Sequence, residues 1–327
     1  MKDRPGAINA LSRAAEIEAS HPEFSLAECD IIEQGANNLL LPCKYNNTPA
    51  VLKYFDDCIN KPGAYSRKQI ESIALRNFSA IDQVPQIFLE FDDSIIMERK
   101  PGKSLQKTIR DLEQSPDENF SLDEIGTNCG ILFSQFASIQ LTTTDQNELR
   151  NSMSNESIVE YHPEVILSYA PEICRKYSSL NAQSYSISII KDELSNISVE
   201  SPIICRYDNN FGNFLIVNSS ITGLVDFEQC FIGNEAMLLG SVLDTFVETY
   251  PLFPNRPSWN AFIAGYKQSR SNMPYQLNLD HVPALAMLNH WYRIVDTYLR
   301  IGSLDRHIDR FTQRFPTLLH LHNSKQL

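Results

Sequence analysis

The residues best suited to chemistry lie in one stretch, RYDNNFGNFLIVNSSITGLVDFE, residues 206 to 228. Asp208 is followed by Asn213, then by two short apolar runs around a polar turn, and then by Asp226. A β-hairpin over the apolar runs would return Asp226 to the loop that carries Asp208 and Asn213. Two carboxylates and an amide oxygen suit a hard cation such as Mg²⁺, and phosphoryl transfer needs such a set. A hairpin with chance acids is the alternative.

A second segment, Gly102-Lys103-Ser104, has the letters of a phosphate-binding loop but not its spacing. The first glycine of that motif would stand five positions earlier, where this chain has Met97. Without that glycine the backbone cannot wrap a phosphate. The segment is therefore interpreted as a turn followed by a helix cap.

The chain changes character once along its length. Residues 7 to 20 fit a short amphipathic helix. From Ala27 to about Glu98 the chain is rich in strand patterns, with a helix after the third strand whose apolar face includes Ile70, Ile73, Ala74 and Phe78. After residue 100 helices dominate, with Ser104 and Ser121 as caps, while the polar run DQNELRNSMSNES is expected to be an exposed loop. The prediction is an α+β fold of two lobes: a β-rich nucleotide-binding lobe over residues 1–98, and a mainly helical lobe over 99–327 with the catalytic loop and acceptor site.

Read together, these patterns resemble the aminoglycoside phosphotransferase and choline kinase-like group, which has the protein-kinase-like fold. That group carries H-x-D-x-x-x-x-N, two strands and [IVL]-D-[FW]-[ED], and this chain has RYDNNFGN, two strands and VDFE. QGANN (34–38), VLK (51–53), a glutamate on the next helix and IIMERKPG (95–102) match further motifs in the same order. Six loose motifs in sequence are more specific than any one of them.

The resemblance implies a role for each matched residue. Asp208 would be the catalytic acid, and Asn213 and Asp226 the metal ligands. Lys53, paired with Glu71, would reach the α and β phosphates, and the segment around Met97 would bind adenine through its backbone. The implied nucleotide-binding set is Gly35, Asn38, Lys53, Glu71, Met97, Glu98 and Arg99, and the implied cofactors are ATP and Mg²⁺. Taken singly, Lys53 fits an edge lysine and Glu71 an exposed helix acid equally well.

Two departures fall on positions that support the catalytic loop in the resembled group. Arg206 stands in place of the usual histidine, and Leu238 in place of an aspartate. Arg206 either braces the loop by other hydrogen bonds or faces the acceptor pocket. With both support residues changed, an apolar contact is expected to take over the bracing. Gln34-Gly35 also replaces the more common pair of glycines.

Composition limits the function classes. The net charge of −12 disfavours binding to nucleic acid or anionic membranes, and mildly favours neutral or cationic small ligands. Seven cysteines without metal-site spacing indicate reduced thiols, and the absence of a long apolar run predicts a soluble, cytoplasmic protein. The six histidines considered and the aromatic residues 291, 292 and 298 fit packing better than catalysis. Asp244 and Glu248 are expected on a solvated helix face.

The sequence thus predicts an ATP- and Mg²⁺-dependent kinase that phosphorylates a hydroxyl of a small molecule. The alternative is a degenerate module of the same fold that binds a nucleotide or metabolite without turnover. A protein kinase is disfavoured, because helices begin almost directly after Asp226 with no activation segment ending in an A-P-E-like motif. The identity of the acceptor, the choice between ATP and GTP, and the oligomeric state stay open.

Overall fold

A computed structural model describes residues 6–27, 33–34, 38–56, 64–115, 120–153, 163–197, 201–247, 257–270 and 278–325. Strands precede most helices in the first third of the chain, and helices dominate the rest. In chain order the elements are α1 (Ala7–Ser20), β1 (Phe24–Leu26), β2 (Glu33–Gln34), β3 (Asn38–Tyr45), β4 (Thr48–Phe55), α2 (Ala64–Asn77), β5 (Ile87–Glu90), β6 (Ser94–Glu98), β7 (Lys103–Ser104), α3 (Leu105–Gln114), α4 (Leu122–Ser138), α5 (Thr143–Met153), α6 (Pro163–Lys176), α7 (Ser186–Asn196), β8 (Ile203–Arg206), β9 (Phe214–Val217), β10 (Ser220–Leu224), β11 (Cys230–Gly233), α8 (Glu235–Phe246), α9 (Trp259–Ser269), α10 (Val282–Ile301) and α11 (Ile308–Ser324).

The N-terminal lobe is an antiparallel sheet in the order β1-β3-β4-β6-β5, with β2 added to β3. The hairpin between β3 and β4 turns at Asn46 and Asn47, which both have positive φ, as a tight two-residue turn requires. Successive strand residues face opposite sides of the sheet: Ile96 packs toward α1, and Ile95 toward α2. The predicted apolar face of α2 is buried as expected.

The segment between the lobes is held in place by contacts with β9 and β10, which belong to a second, three-stranded sheet. Gly102 has φ +115°, and a Cβ there would meet the carbonyl oxygen of Ile216 at 2.5 Å. The Thr222 hydroxyl donates to the carbonyl of Pro101 at 2.6 Å. Ser104 then caps α3 by accepting from the N–H of Lys107. The interpretation of this segment as a turn and helix cap is therefore confirmed.

The C-terminal lobe is mainly helical, and its short strands flank the loop that carries Asp208 and Asn213. β9 and β10 form the predicted hairpin, with β7 on its open edge, while β8 pairs with β11. The strand β11 was not predicted, because Cys230–Gly233 is short and follows directly on the acidic turn. The helical remainder is confirmed, and none of the described helices is long and apolar enough to cross a bilayer.

The prediction of an exposed loop after residue 144 is wrong. Most of the polar run after residue 144 is helix α5, not a loop. Thr142 caps this helix by accepting from the N–H of Asp145, and Leu149 and Met153 are buried four residues apart on one face. The T-x-x-D cap was the missed signal, since only two apolar positions anchor the helix. Five cysteines of the described chain are buried thiols, whereas Cys29 and Cys58 lie outside the described residues.

Candidate active site

The loop after β8 fixes the carboxylate of Asp208 from both sides. The side-chain amide of Asn210 donates to Oδ1 at 2.6 Å, and that of Asn213 donates to Oδ2 at 3.2 Å. Asn213 also donates to the backbone carbonyl of Asp208. Both N–H bonds of Asn213 thus face Asp208, which leaves its amide oxygen for another partner in the cleft that it lines.

The hairpin brings Asp226 back to this loop, as the sequence predicted. The N–H of Val225 donates to the carbonyl of Asn213 at 3.0 Å, which closes the hairpin one residue before Asp226. Asp226 itself has φ +67°, in the left-handed region that Asp and Asn tolerate better than most residues. The change of direction there turns the carboxylate into the cleft.

Arg206 connects the loop that carries Asp208 to the turn that carries Asp226. One guanidinium nitrogen, Nη2, donates to three carbonyls: those of Asp208 at 2.9 Å, Val225 at 3.0 Å and Asp226 at 3.1 Å. The guanidinium lies over the ring of Phe227 at 4.4 Å. Arg206 is 2% exposed, so it does not face the acceptor pocket and instead braces the loop by hydrogen bonds. Burial lowers the pKa of Arg206, but a guanidinium stays charged at any working pH.

A second polar connection replaces the aspartate that Leu238 displaces. Asn209 is fully buried and donates to the carbonyl of Arg206 at 3.0 Å and to the hydroxyl of Ser241 at 2.9 Å. Ser241, one turn further along α8, donates in turn to the carbonyl of Leu238. The expectation of an apolar brace is wrong, because the support moved by three residues along the helix and stayed polar.

Lys53 contacts three acidic residues of the cleft. Its amine lies 2.5 Å from Oε2 of Glu71, 2.6 Å from Oδ1 of Asp226 and 3.8 Å from Oε2 of Glu228. Burial disfavours the charged amine, yet the carboxylates outweigh it and hold the pKa of Lys53 above its ordinary value. Glu71 also accepts from the N–H of Phe227, so α2 is tied to the turn after Asp226. The predicted Lys53–Glu71 pair is therefore present, and both its members are buried.

The acids respond differently to burial. Burial and the neighbouring Asp226 and Glu228 raise the pKa of Glu71, against the opposing pull of Lys53. For Asp226 burial also favours the neutral form, but the contact with Lys53 outweighs it and lowers the pKa. Of these two acids, Asp226 is therefore the one that stays more firmly ionised.

Glu228 is a site residue that the sequence reading did not single out. It is buried, and the side-chain amide of Asn38 donates to its Oε2. Carboxylate oxygens of Glu71, Asp226 and Glu228 lie within 4.8 Å of one another. This donor set fits a hard divalent cation, as does the amide oxygen of Asn213. Glu228 stands two residues after Asp226 in V-D-F-E, and this position could have indicated from the sequence that it belongs to the site.

A cleft of about 550 Å³ joins these groups. Its lining includes every described residue of the predicted site: Asn38, Lys53, Glu71, Met97, Glu98, Arg99, Asp208, Asn213 and Asp226. Gly35 lies outside the described residues. The N–H of Glu98 donates to the carbonyl of Gln86, and the N–H of Arg99 donates to the carbonyl of Pro49. Because these two donors are already used, a ligand would have to bond to other backbone groups of this segment.

Other sequence candidates lie elsewhere. Trp291 and Tyr292 are buried in the core of the C-terminal lobe, as packing predicted. Asp244 is fully buried and is paired with Arg293 and Arg314, so the expectation of a solvated face is wrong for it. Glu248 lies outside the described residues.

Comparison with known proteins identifies the fold. No family profile and no curated protein matches the sequence. Solved structures do match over nearly the whole chain. The gentamicin complex of APH(2″)-IIa has a TM-score of 0.53 at 13% identity, covering 96% of both chains. An ethanolamine kinase of Plasmodium vivax has a TM-score of 0.59 at 15% identity, covering 93% of this chain and 85% of its own. The macrolide 2′-phosphotransferase MphH of Brachybacterium faecium has a TM-score of 0.57 at 11% identity, covering 94% and 98%.

This chain has the fold of the small-molecule phosphotransferases. The resemblance seen in the sequence motifs is thereby confirmed for the fold, and the α+β class with it. Within this phosphotransferase fold the cleft lies between the N-terminal sheet, which carries Lys53, and the loop and hairpin with Asp208 and Asp226.

Proposed function

We propose that the protein is an ATP- and Mg²⁺-dependent kinase that transfers the γ-phosphoryl group to a hydroxyl of a small molecule. One observation carries the proposal: Lys53, Glu71, Asp208, Asn213 and Asp226 line a single cleft in a phosphotransferase fold. Solved neighbours with this fold include a complex with an ATP analogue and an acceptor, and a complex with GDP. Residues 1–98 would bind the nucleotide, and residues 99–327 would supply the catalytic loop and the acceptor site.

Each residue has a physical role in this mechanism. Asp208, with both oxygens oriented by amides, accepts the proton of the acceptor hydroxyl as its oxygen attacks the γ-phosphorus. Lys53 holds the phosphates, and Glu71 holds Lys53. Asn213 and Asp226, with Glu228 beside them, would hold Mg²⁺, which when bound neutralises the charge of the phosphate oxygens. Catalysis is then positioning plus electrostatic stabilisation.

A non-catalytic binding module is the second candidate, and one contact favours it. The amine of Lys53 lies 2.6 Å from Oδ1 of Asp226, so it occupies an oxygen that a metal ligand must offer. If this contact persisted with nucleotide bound, Lys53 would compete with the metal for the carboxylate of Asp226. Arg206 does not favour this candidate, because it braces the loop by hydrogen bonds.

Two measurements test the proposal in order. First, ATP with Mg²⁺ should raise the melting temperature more than ATP with EDTA, which separates a nucleotide binder from a non-binder. Second, a screen of hydroxyl metabolites for ADP release should find an acceptor whose turnover falls by about 10²–10⁴ in Asp208→Asn, the range for loss of general base catalysis. Unchanged turnover in Asp208→Asn would make the mechanism wrong, whereas binding without turnover for any acceptor would favour the module.

A further inference from the structure

The cleft has a second electrostatic feature beyond the phosphate-binding residues. Its acidic side chains already have partners inside the protein. Glu71 and Asp226 contact Lys53, and Asp208 accepts from two amides. Glu228 accepts from Asn38, and Glu98 pairs with Lys100 at 2.7 Å. Each acid among the described lining residues therefore already has a hydrogen-bond or ion-pair partner within the protein.

The basic side chains on one edge differ in this respect. We name Arg99, Lys103 and Lys107 the basic lip; they lie between the end of β6 and the second turn of α3, and all line the cleft. No carboxylate of the described residues lies within 4.0 Å of Arg99 or Lys107. Lys103 is 3.8 Å from Asp111, but both side chains are more than half exposed, and such pairs are worth little.

The basic lip lies next to the catalytic loop. A Cβ on Gly212, in the turn after Asp208, would lie 3.2 Å from Oε1 of Gln106. The first turn of α3 therefore touches the turn that orients Asp208, and Lys107 is the next residue of α3. A ligand whose hydroxyl is at Asp208 is within reach of this helix.

The local charge of the lip opposes that of the whole protein. The chain carries 28 basic and 40 acidic residues and a net charge of −12. A cleft edge with three cations lacking firm partners creates a local field that an overall charge does not predict, and a cleft focuses such a field. The mild preference for cationic ligands drawn from net charge does not hold at this edge.

We propose that the acceptor is an anionic alcohol, a hydroxyl compound that also carries a carboxylate or a phosphate ester, whose anionic group binds the basic lip. The inference rests on the proposed function and specifies its substrate class. The acceptor oxygen forms a bond to the γ-phosphorus, the bond from that phosphorus to the β-γ bridging oxygen breaks, ADP leaves, and Asp208 takes the hydroxyl proton. The basic lip takes no part in these bond changes and only positions the acceptor.

The test compares small alcohols of different charge. The probes are glycerol, glycerate and glycerol 3-phosphate, with choline as a cationic member and hexoses against hexose phosphates as a second set. Melting temperature with Mg²⁺ and a non-hydrolysable ATP analogue, and ADP release with ATP, are both measured. The variant is Lys103→Gln with Lys107→Gln, and the matched control is Lys191→Gln with Lys267→Gln, two exposed lysines on other helices.

The expected result is at least tenfold higher kcat/KM, or a melting shift, for anionic members only. In the lip variant KM for the anionic acceptor should rise about tenfold or more, the loss of one charge-assisted contact, with KM for ATP unchanged. Equal use of neutral or cationic members overturns the proposal, as does the absence of any shift or turnover with anionic members. A rise in KM for ATP alone also overturns it, since the lip would then serve the nucleotide. Failure of ATP with Mg²⁺ to bind is a different readout and removes the proposed function itself.

Discussion

Arg206 donates to the backbone carbonyl of Asp226 across 3.1 Å, and this bond joins the end of β8 to the turn that carries Asp226. The same nitrogen donates to the carbonyl of Asp208, so one buried side chain connects the backbones of the two acids that we propose to act in phosphoryl transfer. It also holds Asp226 at a φ of +67°, which an isolated residue would adopt only at a cost. Arg206, which stands where a histidine was expected, thus braces the loop through backbone carbonyls.

Loss of this donor should lower both stability and turnover. Arg206→Met keeps much of the apolar stem but leaves three carbonyls without their shared donor, so the free energy of unfolding should fall by about 1.5–3 kcal/mol. Urea unfolding measures this, and kcat should fall more than KM for ATP. Arg150→Met, at an exposed position of α5, is the control. An unchanged kcat in folded Arg206→Met would show that the brace does not position the acids.

The second brace predicts coupled effects. Asn209→Ala and Ser241→Ala each break the 2.9 Å bond between the catalytic loop and α8. Each should destabilise the protein by about 1–3 kcal/mol, the cost of an unsatisfied buried polar group. The double variant should cost less than the sum of the single variants, because the second change removes a group already unpaired. Additive losses in urea unfolding would mean that the two residues act separately.

The lysine and its carboxylates form a cluster whose stability depends on its charge balance. Lys53→Met leaves Glu71, Asp226 and Glu228 in one cleft without their common cation. The free energy of unfolding should fall by about 3–5 kcal/mol, as when one partner of a buried pair is removed. Lys53→Met with Glu71→Leu should recover part of that loss while staying inactive. If the double variant is less stable than the single one, charge repulsion is not the cause.

The interlobe segment should be sensitive at Gly102. Gly102→Ala places a methyl group 2.5 Å from the carbonyl oxygen of Ile216 in addition to a strained φ. Gly302→Ala has the same kind of φ, +76°, with open space around the new Cβ, and measures the backbone cost alone, about 1–2 kcal/mol. Urea unfolding should show a clearly larger loss for Gly102→Ala. Equal losses in the two variants would mean that the backbone around Gly102 shifts to relieve the contact with Ile216 at no cost in stability.

A buried histidine predicts a pH dependence of stability away from the cleft. Burial lowers the pKa of His290 to about 3; it lies against Asp244 of α8, with Arg293 of α10 and Arg314 of α11 around the same carboxylate. The unfolded chain takes up a proton near pH 6.5 that the folded chain refuses, so stability is lost as the pH falls below that value. The slope from this group is about 1.4 kcal/mol per pH unit.

The measurement is the free energy of unfolding between pH 7.5 and 4.5. Below pH 6.5, His290→Gln should reduce the slope of the unfolding free energy against pH by about 1.4 kcal/mol per pH unit relative to the wild type. His320→Gln, at an exposed position of α11, should leave the slope unchanged. Parallel curves for wild type and His290→Gln would mean that His290 takes up its proton in the folded state.

The sequence by itself determined the strands and helices that carry the chemistry, because local patterns record them. The apolar runs around residues 218–220 predicted the hairpin, and Ser104 and Ser121 predicted two helix starts. The order of the motifs predicted the phosphotransferase fold. Helix α5 was missed because a helix with two buried apolar residues leaves a weak periodic signal.

Only the tertiary structure decided what supports those residues. Arg206 binding three carbonyls, Asn209 reaching Ser241, and Glu228 meeting Asn38 across 190 positions are contacts between distant segments. No local pattern records them, since side-chain direction and burial are set by how the lobes and the hairpin pack. The same holds for charge: the net −12 is a property of the composition, whereas the basic lip exists only because α3 packs beside the catalytic turn.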